Sequence, residues 1–373
     1  MHLDCLDPAD PLVITIGSPV SKFLSQQPYD STQLMYSDHA PIVYKFQYAP
    51  PPVKNDYINI ITWNVGIWGN THFSSSDSYN HKFNMKARES IYDYKKRMNN
   101  LVGAFMELLT YRDNQPKEGH NLPFLFCQEL PSINSFYFKG LETQQDIHIP
   151  LRQYFLTLLS SNGLDIVCDI SGEYEFGLIV KLGTPFLQRF FVLNKKDYLG
   201  FTYSDKKQIF PRAKGHTDYK RFEIYYYTTD IRGEKHTFYY VNIHAGFTIN
   251  TEYGKYNQED GIIEFLTKIL DVIQINHMQY NLHINNVSVY FIGDFNYNIT
   301  SPKLNEYVSS APSGGSYTPT LHTLLCASEL RRQIISIHKL TTQNAEGFSL
   351  IDNAGNRSPC NIDCILKLDL ASS

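Results

Sequence analysis

The sequence lacks the features that direct a chain into a membrane or mark a disulfide-stabilised secreted domain. Its first residues, MHLDCLDPADPLVITIG, have neither the basic start nor the uninterrupted apolar run of a secretory signal. No other apolar run approaches the length of a membrane span. The six cysteines are scattered, and the close spacing of Cys360 and Cys364 has no second pair with which to form a zinc site. We therefore expect a soluble protein with reduced thiols and no transmembrane segment.

The chain also lacks a large excess of positive or negative charge. The chain has 33 Lys and Arg residues against 37 Asp and Glu residues, which gives a formal net charge of -4. Binding to nucleic acid or acidic lipid would depend on a local basic cluster, and this counts against a DNA-binding enzyme. Hydrophobic residues make up 42% of the chain and charged residues 19%, so a sizeable core is expected.

Short apolar runs of strand length recur along the chain, and amphipathic patterns lie between them. Apolar residues at three- and four-residue steps predict a helix over residues 95–110, and a second such pattern covers residues 261–275. The predicted strands are residues 58–62, 124–126, 177–181, 222–227, 237–243, 287–292 and 362–366. So many strands with few helices between them predict two packed β-sheets with helices on the outside.

The chain contains one linker-like stretch. Its 373 residues are many for an average domain, but sandwich folds with loop insertions reach this length, so we expect a single domain over residues 1–373. Three consecutive prolines at residues 50–52 favour an extended spacer over residues 47–56. This spacer separates residues 1–46 from a main body over residues 57–373.

Polar side chains that suit phosphoester hydrolysis follow several of the predicted strands. Asn64, Glu129 and His244 each come at the end of an apolar run. Asp294 and Asn296 follow a fourth run, and their spacing directs both side chains to the same side of an extended backbone. Hydrolysis of a phosphoester at neutral pH requires a hard cation, an oriented water and a donor for charge that develops at phosphorus. Taken alone, each residue also fits an ordinary turn or core position.

In this order, the residues resemble the endonuclease/exonuclease/phosphatase superfamily. The matching motifs are TWN at residues 62–64, QE at residues 128–129, the strand that ends in His244, and GDFN at residues 293–296. The resemblance spans residues 58–366. It implies an α/β fold, a four-layered α/β/β/α sandwich of two packed mixed β-sheets. It also implies a metal-dependent phosphoric ester hydrolase in which water attacks phosphorus in line.

The order of the last two motifs is unusual for that superfamily. Its members have an aspartate in a late strand, matched here by Asp363, and then a Ser-Asp-His motif that leads into a last strand. Only seven residues follow Leu366, and they contain no such motif. Ser-Asp-His occurs instead at residues 37–39, followed by Pro41 and an apolar strand over residues 42–46. We therefore expect a circular permutation, which nearby termini and an exposed linker would permit.

The resemblance also implies roles at the metal. Glu129 is expected to be the main ligand of Mg²⁺ or Mn²⁺, with Asn64 and Asp38 completing the site directly or through waters. Asp294 is expected to orient and deprotonate the attacking water. Asn296 is expected to hold the phosphate and Asp294 in register.

Histidines are implied as the donors to phosphate. His39 and His244 are expected to donate to the phosphoryl oxygens, with Asp363 orienting His39 and favouring its charged form. Glu175 is expected to orient His244 as a supporting residue, although Glu173 is equally near in the sequence.

Two submotifs bear on the substrate. GDFNY at residues 293–297 and the R-x-P-x-x-x-D-x-I-L spacing at residues 357–366 resemble inositol polyphosphate 5-phosphatases. Asn298 and Cys364 depart from that family, which usually has arginine at both positions. The resemblance implies a phosphatase acting on a phosphoinositide or inositol phosphate, with peripheral membrane contact and Arg357 as a phosphate-binding residue. Arg212, in a basic loop before the strand that ends in His244, is a second candidate for phosphate binding.

Two alternatives remain open. A DNase I-like endonuclease is supported by the IHA sequence at residues 243–245 and by the spacing of Cys360 and Asp363, with Arg212, Lys214 and Arg221 as phosphate contacts. A catalytically inactive module that binds a phosphate ligand would have lost a metal or water-orienting residue, and none is lost. Reduced thiols favour a cytoplasmic protein, and a composition rich in Asn, Tyr, Ile and Lys suits an intracellular bacterium or its effector secreted into a host cell.

Overall fold

The computed structural model of the chain describes most of the predicted strands and both predicted helices. The described residues are 14–19, 36–37, 39–47, 57–66, 91–110, 122–133, 136–138, 148–169, 171, 175–182, 191–202, 206–210, 218–231, 234–245, 258–279, 286–295, 334–340, 348–351, 357–359 and 363–370.

The strands are numbered in chain order. They are β1 Ile14–Pro19, β2 Ile42–Gln47, β3 Tyr57–Asn64, β4 Leu122–Gln128, β5 Phe136–Phe138, β6 His148–Pro150, β7 Leu164–Val167, β8 Gly177–Lys181, β9 Phe191–Leu193, β10 Phe222–Ile231, β11 Glu234–His244, β12 Asn286–Asp294, β13 Ile334–Leu340, β14 Phe348–Ile351, β15 Arg357–Pro359 and β16 Asp363–Leu370. The helices are α1 Ile91–Thr110, α2 Leu151–Ser161, the short α3 Lys195–Tyr198 and α4 Gln258–Gln279, with a 3₁₀ turn at Asp218–Lys220.

Two six-stranded mixed sheets form the centre of the fold. The first has the order β1-β2-β3-β4-β8-β7 and the second has the order β13-β16-β12-β11-β10-β9. The neighbours β3 and β4 are parallel in the first sheet, and β11 and β12 are parallel in the second. Because the carboxyl ends of parallel neighbours meet at one edge of a sheet, each sheet presents two strand ends at the same edge.

Helices cover the outer face of each sheet. The apolar stripe of α1 packs with α2 against the first sheet, and the ring of Phe105 meets Trp63 of β3 edge to face at 5.7 Å. Helix α4 packs on the second sheet through Phe265, Ile269 and Ile273. The helix–sheet–sheet–helix order confirms the four-layered α/β/β/α sandwich predicted from the sequence.

Aromatic and amide side chains join the inner faces of the two sheets. Phe126 of β4 lies 5.7 Å from the ring of Tyr225 and 5.5 Å from the ring of Tyr240. Nearer the strand ends, Gln128 Nε2 donates to Oδ1 of Asn242 at 2.6 Å. Both amides are completely buried, so this contact fixes the register of one sheet against the other close to the strand ends that carry polar residues.

The sequence predicts the long elements better than the short ones. Every predicted strand falls within an observed one except residue 362, which lies outside the described residues. The sequence analysis did not identify the 11-residue α2 or the strands β1 and β13 of six and seven residues. It also did not identify several strands of three or four residues, which have little periodicity. The predicted spacer begins one residue early, since Gln47 ends β2, and residues 48–56 lie outside the described residues. Among the described helices, none combines the length and apolar character needed to cross a membrane.

Candidate active site

Polar side chains from both sheets converge at one edge of the sandwich. Asn64 is the last residue of β3, and Glu129 directly follows β4, its parallel neighbour. In the second sheet His244 is in register with Asp294, and Asp294 is in register with Asp363. The strand ends that the sequence analysis singled out therefore meet in space.

Asn64 connects two of the carboxylates. Its Nδ2 donates to Oε1 of Glu129 at 3.1 Å and to Oδ2 of Asp294 at 3.0 Å. Its Oδ1 accepts from the backbone N–H of Gly66 at 3.2 Å, which fixes the orientation of the amide. The sequence predicts Asn64 as a metal ligand, directly or through water, and this stays a prediction, because an amide oxygen that accepts one N–H retains a second lone pair. In this arrangement Asn64 holds the two carboxylates of opposite sheets together.

The backbone is strained at two places beside these carboxylates. Glu129 has a φ of 57°, in the left-handed region that a side chain with a Cβ disfavours. Gly293, directly before Asp294, has a φ of 136°, and a Cβ at this position would overlap the carbonyl oxygen of Ile243. Such strain persists only where surrounding contacts over-determine it, and it is common where a side chain must be aimed into a site.

His39 reaches the site from the segment before β2. Its Nδ1 lies 3.0 Å from Oδ2 of Asp363, within hydrogen-bond distance, and its Nε2 lies 3.9 Å from Oδ2 of Asp294. The backbone of His39 is held on both sides, because its N–H donates to Ser37 Oγ at 3.1 Å and its carbonyl accepts from Trp63 Nε1 at 2.8 Å. The imidazole is therefore held with Nδ1 at the carboxylate of Asp363 and Nε2 towards the carboxylate of Asp294.

His244 faces the same carboxylates from the second sheet. Its Nε2 lies 3.5 Å from Oε1 of Glu129 and 3.9 Å from Oδ2 of Asp294. Its Nδ1 lies 4.0 Å from Oε2 of Glu175, which is too long for a direct hydrogen bond. Burial lowers the pKa of His244 from 6.5 to about 4, although the carboxylate of Glu129 opposes this shift. His244 is therefore neutral at pH 7.

The donors at this edge suit a hard divalent cation. Glu129 and Asp294 direct oxygens at one amide, and two carboxylates so placed repel each other unless a cation or a proton lies between them. A second group, His39, Asp294 and Asp363, has ligand atoms within 4.8 Å of one another. Oδ1 of Asp363 is buried without a hydrogen-bond partner in the described part of the chain, and a cation or water would satisfy such an atom.

Several predicted residues cannot be placed. Asp38, Asn296 and Arg212 lie outside the described residues, as do Tyr297, Lys214 and Glu173. Arg357 begins β15, and its side chain is not among those described. The structure therefore brings together six of the predicted site residues directly, namely His39, Asn64, Glu129, His244, Asp294 and Asp363, with Glu175 at the margin.

Arg97 is a supporting residue that the sequence analysis missed. It is buried on the inner side of α1, and its Nη1 donates to the carbonyl of Gly66 at 3.1 Å. Gly66 in turn donates to Asn64, so Arg97 supports the amide that bridges the two carboxylates. An available signal was the position of this arginine four residues before Leu101 on the apolar stripe of the helix.

Comparisons with known proteins return matches among solved structures alone. No protein-family model matches the chain, and no curated protein matches it. The chain is similar to a humanised TDP2 from D. rerio, with 14% identity, a TM-score of 0.35, and 83% of this chain and 82% of that chain covered. It is similar to the catalytic domain of human Nocturnin, with 12% identity, a TM-score of 0.28, and 84% and 93% covered. It is also similar to a protein from Leptotrichia buccalis, with 13% identity, a TM-score of 0.34, and 83% and 86% covered. That last structure bears the name endonuclease/exonuclease/phosphatase family protein.

Proposed function

We propose that this chain is a divalent-metal-dependent phosphoester hydrolase of the endonuclease/exonuclease/phosphatase superfamily. The observation that carries the proposal is the meeting of Glu129, Asn64 and Asp294 with two histidines at one edge of the sandwich. Asn64 is hydrogen-bonded to Glu129, 65 residues later in the chain, and to Asp294, 230 residues later. No local turn explains the convergence of residues so far apart in sequence. This set of side chains matches what phosphoester hydrolysis requires, namely ligands for a cation, a group that orients water, and donors to the phosphate.

Each residue has a task that its surroundings support. Glu129 and Asp38 would hold the cation. Asn64 would set the position of Glu129 through its hydrogen bond to that carboxylate. When bound, Mg²⁺ or Mn²⁺ would neutralise charge on the phosphate oxygens. Asp294, completely buried and hydrogen-bonded to Asn64, would orient water and accept its proton.

The two histidines would serve different electrostatic tasks. His39, paired with Asp363, can carry a positive charge and donate from Nε2 to a phosphoryl oxygen. His244 has a pKa lowered to about 4, so it would act as a neutral donor at pH 7. The sequence predicts His244 as a donor without a stated charge, and burial favours its neutral form.

We further propose a phosphoinositide or inositol phosphate as the substrate. The support is the GDFNY motif at residues 293–297, the arginine-to-leucine signature at residues 357–366, and the slight excess of acidic residues. Arg357 and Arg212 would contact phosphate groups of the substrate. A DNase I-like endonuclease is the second candidate, because the guanidinium of Arg221 lies close enough to His244 to lower its pKa and could contact a phosphodiester.

A paired release assay tests both candidates. Phosphate release from a phosphatidylinositol bisphosphate in mixed micelles and nicking of supercoiled DNA would be measured under Mg²⁺, under Mn²⁺ and with excess EDTA. We expect metal-dependent phosphate release that exceeds DNA nicking and disappears on chelation. Asp294→Asn serves as the control for contaminating enzymes. Nicking without phosphate release would reverse the order of the candidates, and binding without any turnover would identify an inactive ligand-binding module.

A further inference from the structure

A second group of charged side chains lies buried beside the candidate active site. It consists of Asp169, which follows β7, Lys195 at the start of α3, and Glu223 in β10. Their exposed fractions are 3%, 1% and 1%. Buried charges of this kind are costly, so a folded chain retains them where they are compensated or serve a purpose.

Hydrogen bonds connect these residues into one unit. The carboxylate of Glu223 accepts from the backbone N–H of Asp169 at 2.8 Å and from the hydroxyl of Tyr225. The carboxylate of Asp169 accepts from the N–H of Ser171 at 2.8 Å and from the N–H of Lys195 at 3.2 Å. The unit therefore ties the end of β7 and the start of α3 to the second sheet.

The ammonium group of Lys195 points at the segment that carries Glu175. Its Nζ lies 5.2 Å from the ring centroid of Phe176, which is itself buried. Burial lowers the pKa of Lys195 to about 8, and the carboxylates of Glu223, Asp169 and Glu175 oppose that shift. At neutral pH Lys195 is therefore mostly cationic, with Glu175 within its electrostatic reach.

The segment of Glu175 and Phe176 contacts both sides of the active site. The carbonyl of Glu175 accepts from the N–H of Leu130, the residue after Glu129, at 2.9 Å. Its carboxylate lies 4.0 Å from Nδ1 of His244. The Glu175 side chain is 40% exposed, so packing alone does not fix its direction.

We propose that Lys195 is a positioning residue of this active site, whose ammonium group holds the Glu175 and Phe176 segment and keeps the Glu175 carboxylate directed at His244. The inference deepens the proposed function and rests on it for its catalytic consequence. In this role Lys195 acts on the reaction through Glu175. The ammonium group of Lys195 thus orients the imidazole of His244 through Glu175 and also contributes to the stability of the fold.

Three variants separate this role from a purely structural one. Lys195→Met removes the charge and keeps much of the volume. Lys196→Met is the matched control, because the neighbouring lysine on the same helix is exposed. The double variant Lys195→Met with Glu223→Gln removes two of the three charges of the buried unit and leaves Asp169, so it should recover much of the urea midpoint that the single variant loses.

The readouts are the steady-state constants and the imidazole ¹⁵N signals of His244. We expect Lys195→Met to lower kcat about tenfold with little change in KM, as for a lost orienting partner of a catalytic group. We expect Lys196→Met to match the unmodified protein, and the double variant to regain stability without regaining kcat. The His244 signals of the metal-free protein should shift in both variants that lack Lys195, because Nδ1 loses its oriented carboxylate.

Recovery of kcat together with stability in the double variant would overturn the proposal, as would His244 signals that do not move in Lys195→Met. The NMR comparison needs no turnover. If the unmodified protein hydrolyses no phosphoester, the proposed function fails, and the His244 signals alone decide whether Lys195 positions Glu175.

Discussion

Asn64 is the residue at which the two halves of the candidate site meet. Its side-chain nitrogen donates to Glu129 beside the first sheet and to Asp294 in the second, while its oxygen is engaged by Gly66. A single amide thus sets the distance between the proposed metal ligand and the proposed base. At this scale, the function of each carboxylate depends on which neighbours it has and not on its type.

Glu129 and Asp294 should fail in different ways when their charge is removed. We expect Glu129→Gln to raise the Mg²⁺ concentration for half-maximal activity by about tenfold or more, since a cation ligand is lost. We expect Asp294→Asn to lower kcat by roughly 10²–10⁴-fold while substrate binding persists, since the proton acceptor is lost. Metal titrations of phosphate release and equilibrium binding check both. Full turnover in both variants would place the active site elsewhere.

His244 should make the stability of the metal-free protein depend on pH. Its pKa falls from 6.5 in the unfolded chain to about 4 in the folded protein. The unfolded chain therefore binds more protons between these values, and the free energy of unfolding should fall as the pH drops through this window. One such group contributes a slope of up to about 1.4 kcal/mol per pH unit. Urea unfolding in EDTA across this range should show a smaller slope for His244→Gln, and equal slopes would contradict the assignment.

The strands bring the side chains together through their ends rather than their middles. Parallel pairing of β3 with β4 and of β11 with β12 puts four carboxyl ends at one edge. The close approach of β11 to β12 at that edge requires a residue without a side chain at Gly293, next to the carbonyl of Ile243. The orientation of the Asp294 side chain therefore depends on how closely β11 and β12 approach each other.

Replacement of Gly293 should damage this strand pair. We expect Gly293→Ala to lower the free energy of unfolding by roughly 3 kcal/mol or more, because it combines a positive φ with overlap against the backbone. Gly103→Ala is the matched control, since Gly103 lies exposed in α1 with nothing within 4 Å of its added Cβ. That control should gain about 0.5–1 kcal/mol from helix propensity. Urea unfolding measures both, and a small loss in Gly293→Ala would show that β11 and β12 can separate at no great cost.

At the scale of the whole molecule, the first part of the chain completes the first sheet. Strand β2 is antiparallel to β3, with Ile42 opposite Thr62, so His39 is placed near the end of β3 that carries Asn64. His39 then pairs with Asp363, 324 residues further along the chain. The proposed permutation requires this contact, and in the structure the two side chains lie 3.0 Å apart, within hydrogen-bond distance. We propose that residues 1–46 are the permuted last segment of a single domain over residues 1–373, joined to residues 57–373 by a spacer.

Relocation of residues 1–46 tests the permutation. A chain in which they follow Ser373 should fold and keep most of its activity, because the same strand contacts re-form through a different connection. A chain that begins near Asp56 should fold poorly, since β3 loses its partner β2. Circular dichroism, urea unfolding and phosphate release compare the three chains.

Two point variants serve as controls for the relocation. Asp38→Ala and His39→Ala should each abolish turnover in both the original and the relocated order. An inactive or unfolded relocated chain, or an active chain that lacks residues 1–46, would rule out the permuted reading.

The sequence alone predicts most polar residues of the candidate site and the strands that carry them. Alternation and apolar runs are local properties, so the strands that end at Asn64, His244 and Asp294 could be predicted within a few residues. The motif order was likewise enough to predict the sandwich and to select His39 and Asp363 as partners.

Only the tertiary structure decided how those residues interact. The amide orientation of Asn64 depends on Gly66, the support of that turn depends on the buried Arg97, and the low pKa of His244 depends on burial between two sheets. The unit of Lys195, Asp169 and Glu223 joins segments whose sequences show no sign of one another. Hydrogen bonds and desolvation act between groups that are close in space, and local periodicity does not specify which distant segments become neighbours.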